Sequence, residues 1–114
     1  MTRYKAGDIV LVRFPFTDLT TTKKRPGLVI SPSAFAARQG DIVVLAITSQ
    51  PQKDARPRLT RWRTEGLAKP SWVKPVIGTL VPNLVLRRLG RLHIADRAPV
   101  RYALRQLIAG GFLK

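Results

Sequence analysis

Two apolar runs held apart by a polar loop constrain this chain more than any other feature. Ile9 to Phe14 is rich in β-branched and aromatic residues and is closed by Pro15. Gly27 to Ser31 is a second apolar run, stopped by Pro32. Thr17 to Lys24 between them carries no periodicity and reads as a loop. The loop ends in Lys24 and Arg25, so Arg25 sits at a rigid strand start and faces whatever lies over the loop. A guanidinium held in that way suits an anionic ligand.

The rest of the chain continues the pattern. Ser33 reads as the N-cap of a single helical turn through Arg38, ended near Gly40. Asp41 to Thr48 is the strongest strand, a near-continuous apolar run of buried type. Residues 50–58 are polar and broken by Pro51 and Pro57, a loop. Leu59 to Arg63 alternates apolar and basic residues and reads as an edge strand. Strand character resumes from Trp72 to Val81, where Pro75 and Gly78 place it at an edge or a bulge. Val85 to Leu92 is one more short strand with Gly90 inside it. Asp96 is a good N-cap for a final helix, in which Val100, Ala103, Leu104, Leu107 and Ile108 form one apolar stripe ended by Gly110 and Gly111. These elements describe a small, mainly β fold, an antiparallel barrel-like sheet with a C-terminal helix.

At 114 residues the chain is expected to be one domain spanning 1–114. With no cysteine, a disulfide scaffold and a thiolate metal site are excluded. The single histidine, His93, and six scattered acids make no metal cluster, so no cofactor is expected. His93 itself reads as structural or surface. Met1 to Tyr4 runs into the first strand without an apolar leader, and no run is long enough to span a membrane, so a cytoplasmic protein that does not engage membranes is expected.

Charge is the other strong signal. The net charge is +15, and residues 51–114 hold 14 of the 21 basic side chains against 3 acids. A chain this basic repels itself when folded and calls for a polyanionic partner, with nucleic acid ahead of an acidic protein. Arg outnumbers Lys in the second half, which favours bidentate phosphate or carboxylate contacts.

In order along the chain, Gly7 to Val12, Lys24 to Pro32, Ile47 to Gln50, Gly66 to Pro75 with Thr79 and Leu80, and Arg88 to Leu92 resemble the MazF/PemK family of toxins. The resemblance implies a small SH3-like or CcdB–MazF-type barrel, usually a homodimer. It also implies an endoribonuclease of a toxin–antitoxin system that cleaves single-stranded RNA selectively and without metal, the ribose 2′-hydroxyl attacking the adjacent phosphate. The implied protein partner is an acidic antitoxin whose disordered segment folds across the basic rim.

Carried onto this sequence, the resemblance makes Arg25 the catalytic arginine and Thr48 the catalytic threonine, with Ser49 and Gln50 extending the polar rim. Some branches of the family have His where this chain has Lys24, which would steer phosphate or relay a proton. Others place acids where this chain offers only Asp18 in the loop, and Ser71. Lys69 and Lys74 flank that second segment and would touch the RNA backbone. Trp72 could stack on a base, although in so small a chain it belongs more often to the core; Trp62 is the ring expected to be exposed. Two competing readings are a gyrase-poisoning toxin of the same fold and a non-catalytic basic RNA-binding module.

Overall fold

The computed structural model describes residues 4–13, 23–52 and 56–114. The expected strand at the N-terminus is β1, Asp8–Arg13. The second, β2, runs Lys24–Val29 and therefore starts earlier than its apolar residues, taking in Lys24, Arg25 and Pro26. Pro26 is tolerated there because the β2 ladder to the next strand reaches only Gly27, so no bond on that side needs its missing N–H. Short helix α1, Ser33–Gln39, is entered from Pro32, without the Ser33 side-chain cap expected from the sequence. It ends at Gly40 in the left-handed conformation, with φ of 76°.

Strand β3, Ile42–Thr48, fulfils the expectation of a buried strand. The expected edge strand over 59–63 is only the two-residue β4, Arg58–Leu59; residues 60–66 are turns. The reason is a carboxylate distant in sequence. Asp96 accepts from the backbone N–H groups of Thr60 and Arg61, both at 3.1 Å, and from the Thr60 hydroxyl, which coils the segment instead of extending it.

Strand β5, Ser71–Leu80, lies between β4 and β3. It shifts register against β3 between the pairs Leu45–Ile77 and Ile47–Val73, and Pro75 falls within that irregularity. A 3₁₀ turn over Pro82–Leu84 leads to β6, Val85–Arg91. Helix α2, Ile94–Ala109, closes the described chain. Its N-cap is His93, whose Nδ1 accepts from Ala95 N–H at 3.0 Å; Asp96, expected in that role, sits in the first turn and is buried.

The six strands form one antiparallel sheet in the order β4-β5-β3-β2-β1-β6, curled into an open half-barrel. Both faces are covered. On one, Ile9, Leu28, Leu45, Ile47 and Val73 pack with Leu59 and with Val100 of α2. On the other, Val10, Val12, Val29, Val44 and Val85 pack beneath Ala36 of α1 and Leu84 of the 3₁₀ turn. Burial on both faces explains why β1 and β3 are continuously apolar rather than alternating. Gly66 and Gly90 let the 60–66 turn lie directly on β6, since a Cβ on either would collide with the backbone of Leu89 or Glu65.

Candidate functional site

The strand registers assemble the candidate site at one end of the sheet. Across β1 and β2, Val12 is the partner of Arg25; across β3 and β5, Thr48 is the partner of Trp72; across β4 and β5, Arg58 is the partner of Trp72. The β2–β3 ladder ends at the pair Gly27–Ala46, so Arg25 and Thr48 each lie two residues beyond its last pair, toward the same end of the sheet. Directly opposed residues of an antiparallel sheet share a face. Thr48, Trp72 and Arg58 therefore form one lateral row, and Arg25 lies at the start of β2 toward the same end of the sheet.

Each side chain is presented differently. Arg25 is exposed at the start of β2. Thr48 is half-buried, and its Oγ1 accepts from Gln50 N–H at 3.2 Å. That bond uses the oxygen as acceptor and leaves the hydroxyl hydrogen free to donate outward. Ser49 and Gln50 are exposed beyond it, and Gln52 Nε2 donates to the Gln50 carbonyl at 2.9 Å, bracing the loop. Lys24 lies opposite Arg13 across β1, both exposed. Two like charges in direct cross-strand contact repel, so this end of the sheet is electrostatically uncomfortable until an anion arrives. Among the described residues the ion pairs are Arg88 and Arg91 with the buried Asp8, well away from Arg25.

Other expected site residues fall elsewhere. Ser71 is buried opposite Leu59, and its hydroxyl donates to the Lys69 carbonyl at 2.8 Å, so it is not presented to a substrate. Lys69 is exposed in the turn before β5. Lys74 lines an apolar cavity of about 280 Å³ between β5 and α2, bordered by Val73, Val100 and Leu104. Asp18 lies outside the described residues. Both tryptophans are half-buried, so neither is the exposed ring expected of Trp62. Trp62 packs on the core beside α2, while Trp72 joins neither apolar cluster and carries Arg58 at 5.7 Å from its ring centre.

Residues 5–108 match the family described as PemK-like, MazF-like toxin of type II toxin-antitoxin system. The chain belongs to this family. Solved MazF-like structures share its fold at low identity. An endoribonuclease from a mycobacterial species, solved in complex with its cognate antitoxin, superposes with a TM-score of 0.74 at 19% identity, covering 96% of each chain. A MazE-MazF structure from Deinococcus radiodurans gives 0.75 at 21% identity, covering 95% of this chain and 98% of that one. MazF of the same organism gives 0.73 at 22% identity, covering 96% and 99%. No curated protein matches the sequence significantly.

Beneath this MazF-like scaffold the structure holds a polar cluster that sequence reasoning missed. Glu65 is fully buried; its Oε2 accepts from His93 N–H at 2.8 Å and its Oε1 has no donor. Burial raises its pKa from 4.5 to about 7, and the neighbouring Asp96 pushes the same way. Burial would raise Asp96 too, but donors from Thr60 and Arg61, and from the carboxyl of Glu65, outweigh it and leave Asp96 below its usual value. The two carboxyls are thus pushed apart, Glu65 upward and Asp96 downward. The available signal was scarcity: residues 51–114 hold only three acids, and two of them meet here.

Proposed function

We propose that this MazF/PemK-family toxin is an endoribonuclease that cleaves single-stranded RNA without a metal ion. The observation that supports this reading most directly is that Arg25, at the start of β2, and Thr48, at the end of β3, lie toward the same end of the sheet as the cross-strand pair of cations Arg13 and Lys24. In the reaction the ribose 2′-oxygen forms a bond to phosphorus, and the bond from phosphorus to the 5′-oxygen breaks. The 2′-hydroxyl loses a proton and the leaving oxygen gains one. The nucleophile belongs to the substrate, so the protein must align it and stabilise the added negative charge on phosphorus.

Arg25 offers a fixed fork of donors that stays charged at any working pH. Thr48 adds a hydroxyl donor whose lone pair is already engaged by Gln50 N–H. Ser49 and Gln50 continue the rim, and Lys24 and Lys69 steer the RNA backbone. Lys74, two residues along β5 from Trp72, adds a further cation for the RNA backbone. The protein partner on this reading is an acidic antitoxin drawn to a surface of charge +15, and the working form is a homodimer.

The test is incubation with a long unstructured RNA in EDTA, beside Arg25→Ala, with products mapped at single-nucleotide resolution. Discrete cuts that vanish in Arg25→Ala are the expected result. Intact RNA from folded protein overturns the reading.

A further inference from the structure

We propose that Trp72 and Arg58 form a nucleobase platform beside the phosphate site, so that a base of the bound RNA stacks on the indole next to Thr48. The inference rests on the reading of Arg25 and Thr48 as the phosphate-engaging pair, and its own support lies in the neighbouring strands. Trp72 is the cross-strand partner of both Thr48 and Arg58, which puts its backbone one strand spacing, about 4.8 Å, from theirs. That is within the span of one nucleotide, whose phosphate would lie at Thr48 while its base reaches Trp72.

Trp72 is not explained by packing. A tryptophan in a small domain ordinarily belongs to the core, as Trp62 does here, yet Trp72 is half-buried and joins neither apolar cluster. Its partner, Arg58, is exposed, with its guanidinium carbon 5.7 Å from the ring centre. That distance is near the outer limit of about 6 Å for a cation–π contact, so the guanidinium is steered by the ring without being closed down on it. A planar base can be accommodated against the indole with the guanidinium plane beside it, and the same cation can reach a flanking phosphate. Arg63 on Trp62 is a contrasting pair, at 4.8 Å, on a ring that packs against the core. Stacking of this kind tolerates any base, so the platform would contribute affinity and set the position of the strand, while base identity is read elsewhere on the rim.

The experiment uses the full chain and two probes that cannot be cleaved. One is a fluorescently labelled single-stranded RNA methylated at every 2′-oxygen; the other is an abasic oligonucleotide of equal length and charge. Trp72→Leu is expected to weaken binding of the base-bearing probe by about 5- to 140-fold and to leave the abasic probe unchanged. Trp72→Phe is expected to retain most of the affinity, and Arg58→Lys, which keeps the charge and removes the plane, to fall between them. In the unsubstituted protein the base-bearing probe is expected to quench tryptophan emission more than the abasic probe does, a readout that needs no variant to fold. Equal losses on both probes, or no loss on either, overturn the platform, as does failure of the unsubstituted protein to distinguish them. If the probes are distinguished while natural RNA stays intact, the endoribonuclease reading falls and the base platform stands.

Discussion

Glu65 and Asp96, both buried, meet in the seam between the 60–66 turn and α2 with their pKa values pushed in opposite directions. Asp96 accepts from Thr60 and Arg61, and Glu65 accepts from the backbone of His93 at the helix N-cap. The pair ties a turn, a helix start and the end of β6 together. It also makes the fold sensitive to pH in a defined direction.

The folded protein holds the Glu65 proton up to about pH 7, whereas the unfolded chain releases it near pH 4.5. Between those values the folded state binds more protons, so Glu65 makes stability fall as pH rises, by at most about 1.4 kcal/mol per pH unit. Asp96 acts oppositely, and its contribution is lost as pH falls below its unfolded pKa of 3.8. Chemical denaturation at pH 5, 6, 7 and 8 checks this: stability is expected to decline to about pH 7 and then level off. Glu65→Gln, which removes the titrating group at nearly the same size, is expected to flatten the decline; an unchanged slope in Glu65→Gln would count against it.

Gly66 carries a φ of +86° and faces the Leu89 carbonyl, while Gly40, at +76°, faces open space. Gly40→Ala is therefore expected to cost about 1–2 kcal/mol, the price of a left-handed alanine alone. Gly66→Ala adds a backbone collision and should cost about 2–4 kcal/mol. Thermal melts of the two variants give the comparison, and equal losses would show that the turn is not packed on β6 as described.

Arg25→Ala and Thr48→Val are each expected to lower the RNA cleavage rate by about 10²- to 10³-fold, with melting temperature nearly unchanged because both lie at the sheet's end. Arg25→Lys should recover only part of the rate, since an ammonium lacks the fork. Single-turnover cleavage separates this from weaker binding. A variant that loses affinity but cleaves at the original rate would remove its residue from the chemistry.

Binding to single-stranded RNA is expected to weaken steeply with salt, about 0.7 log units per log unit of salt for each phosphate neutralised. Replacing Lys24 by Met should reduce that slope by roughly one phosphate's worth. Titrations at four salt concentrations measure it, and an unchanged slope would place Lys24 away from the RNA.

Local pattern and composition made much of this protein legible before any coordinates. The apolar runs closed by proline mark β1 and β2 and the continuous apolar run marks β3, because strand formation follows side-chain shape over a few residues, and the apolar stripe and terminal glycines mark α2. The ordered motifs point to the MazF/PemK family, and the charge of +15 to a polyanion. What local pattern could not contain were partners distant in the chain. Thr60 is coiled by Asp96, thirty-six residues away, so an alternating segment became a turn. Ser71 turned inward because its register follows Leu59, and Trp72 was set beside Thr48 by a ladder joining β3 to β5 across the loop between them. Propensity acts over neighbouring residues, whereas burial and register are decided only when strands far apart in sequence pair, and that pairing set which side chains face solvent and which face the core.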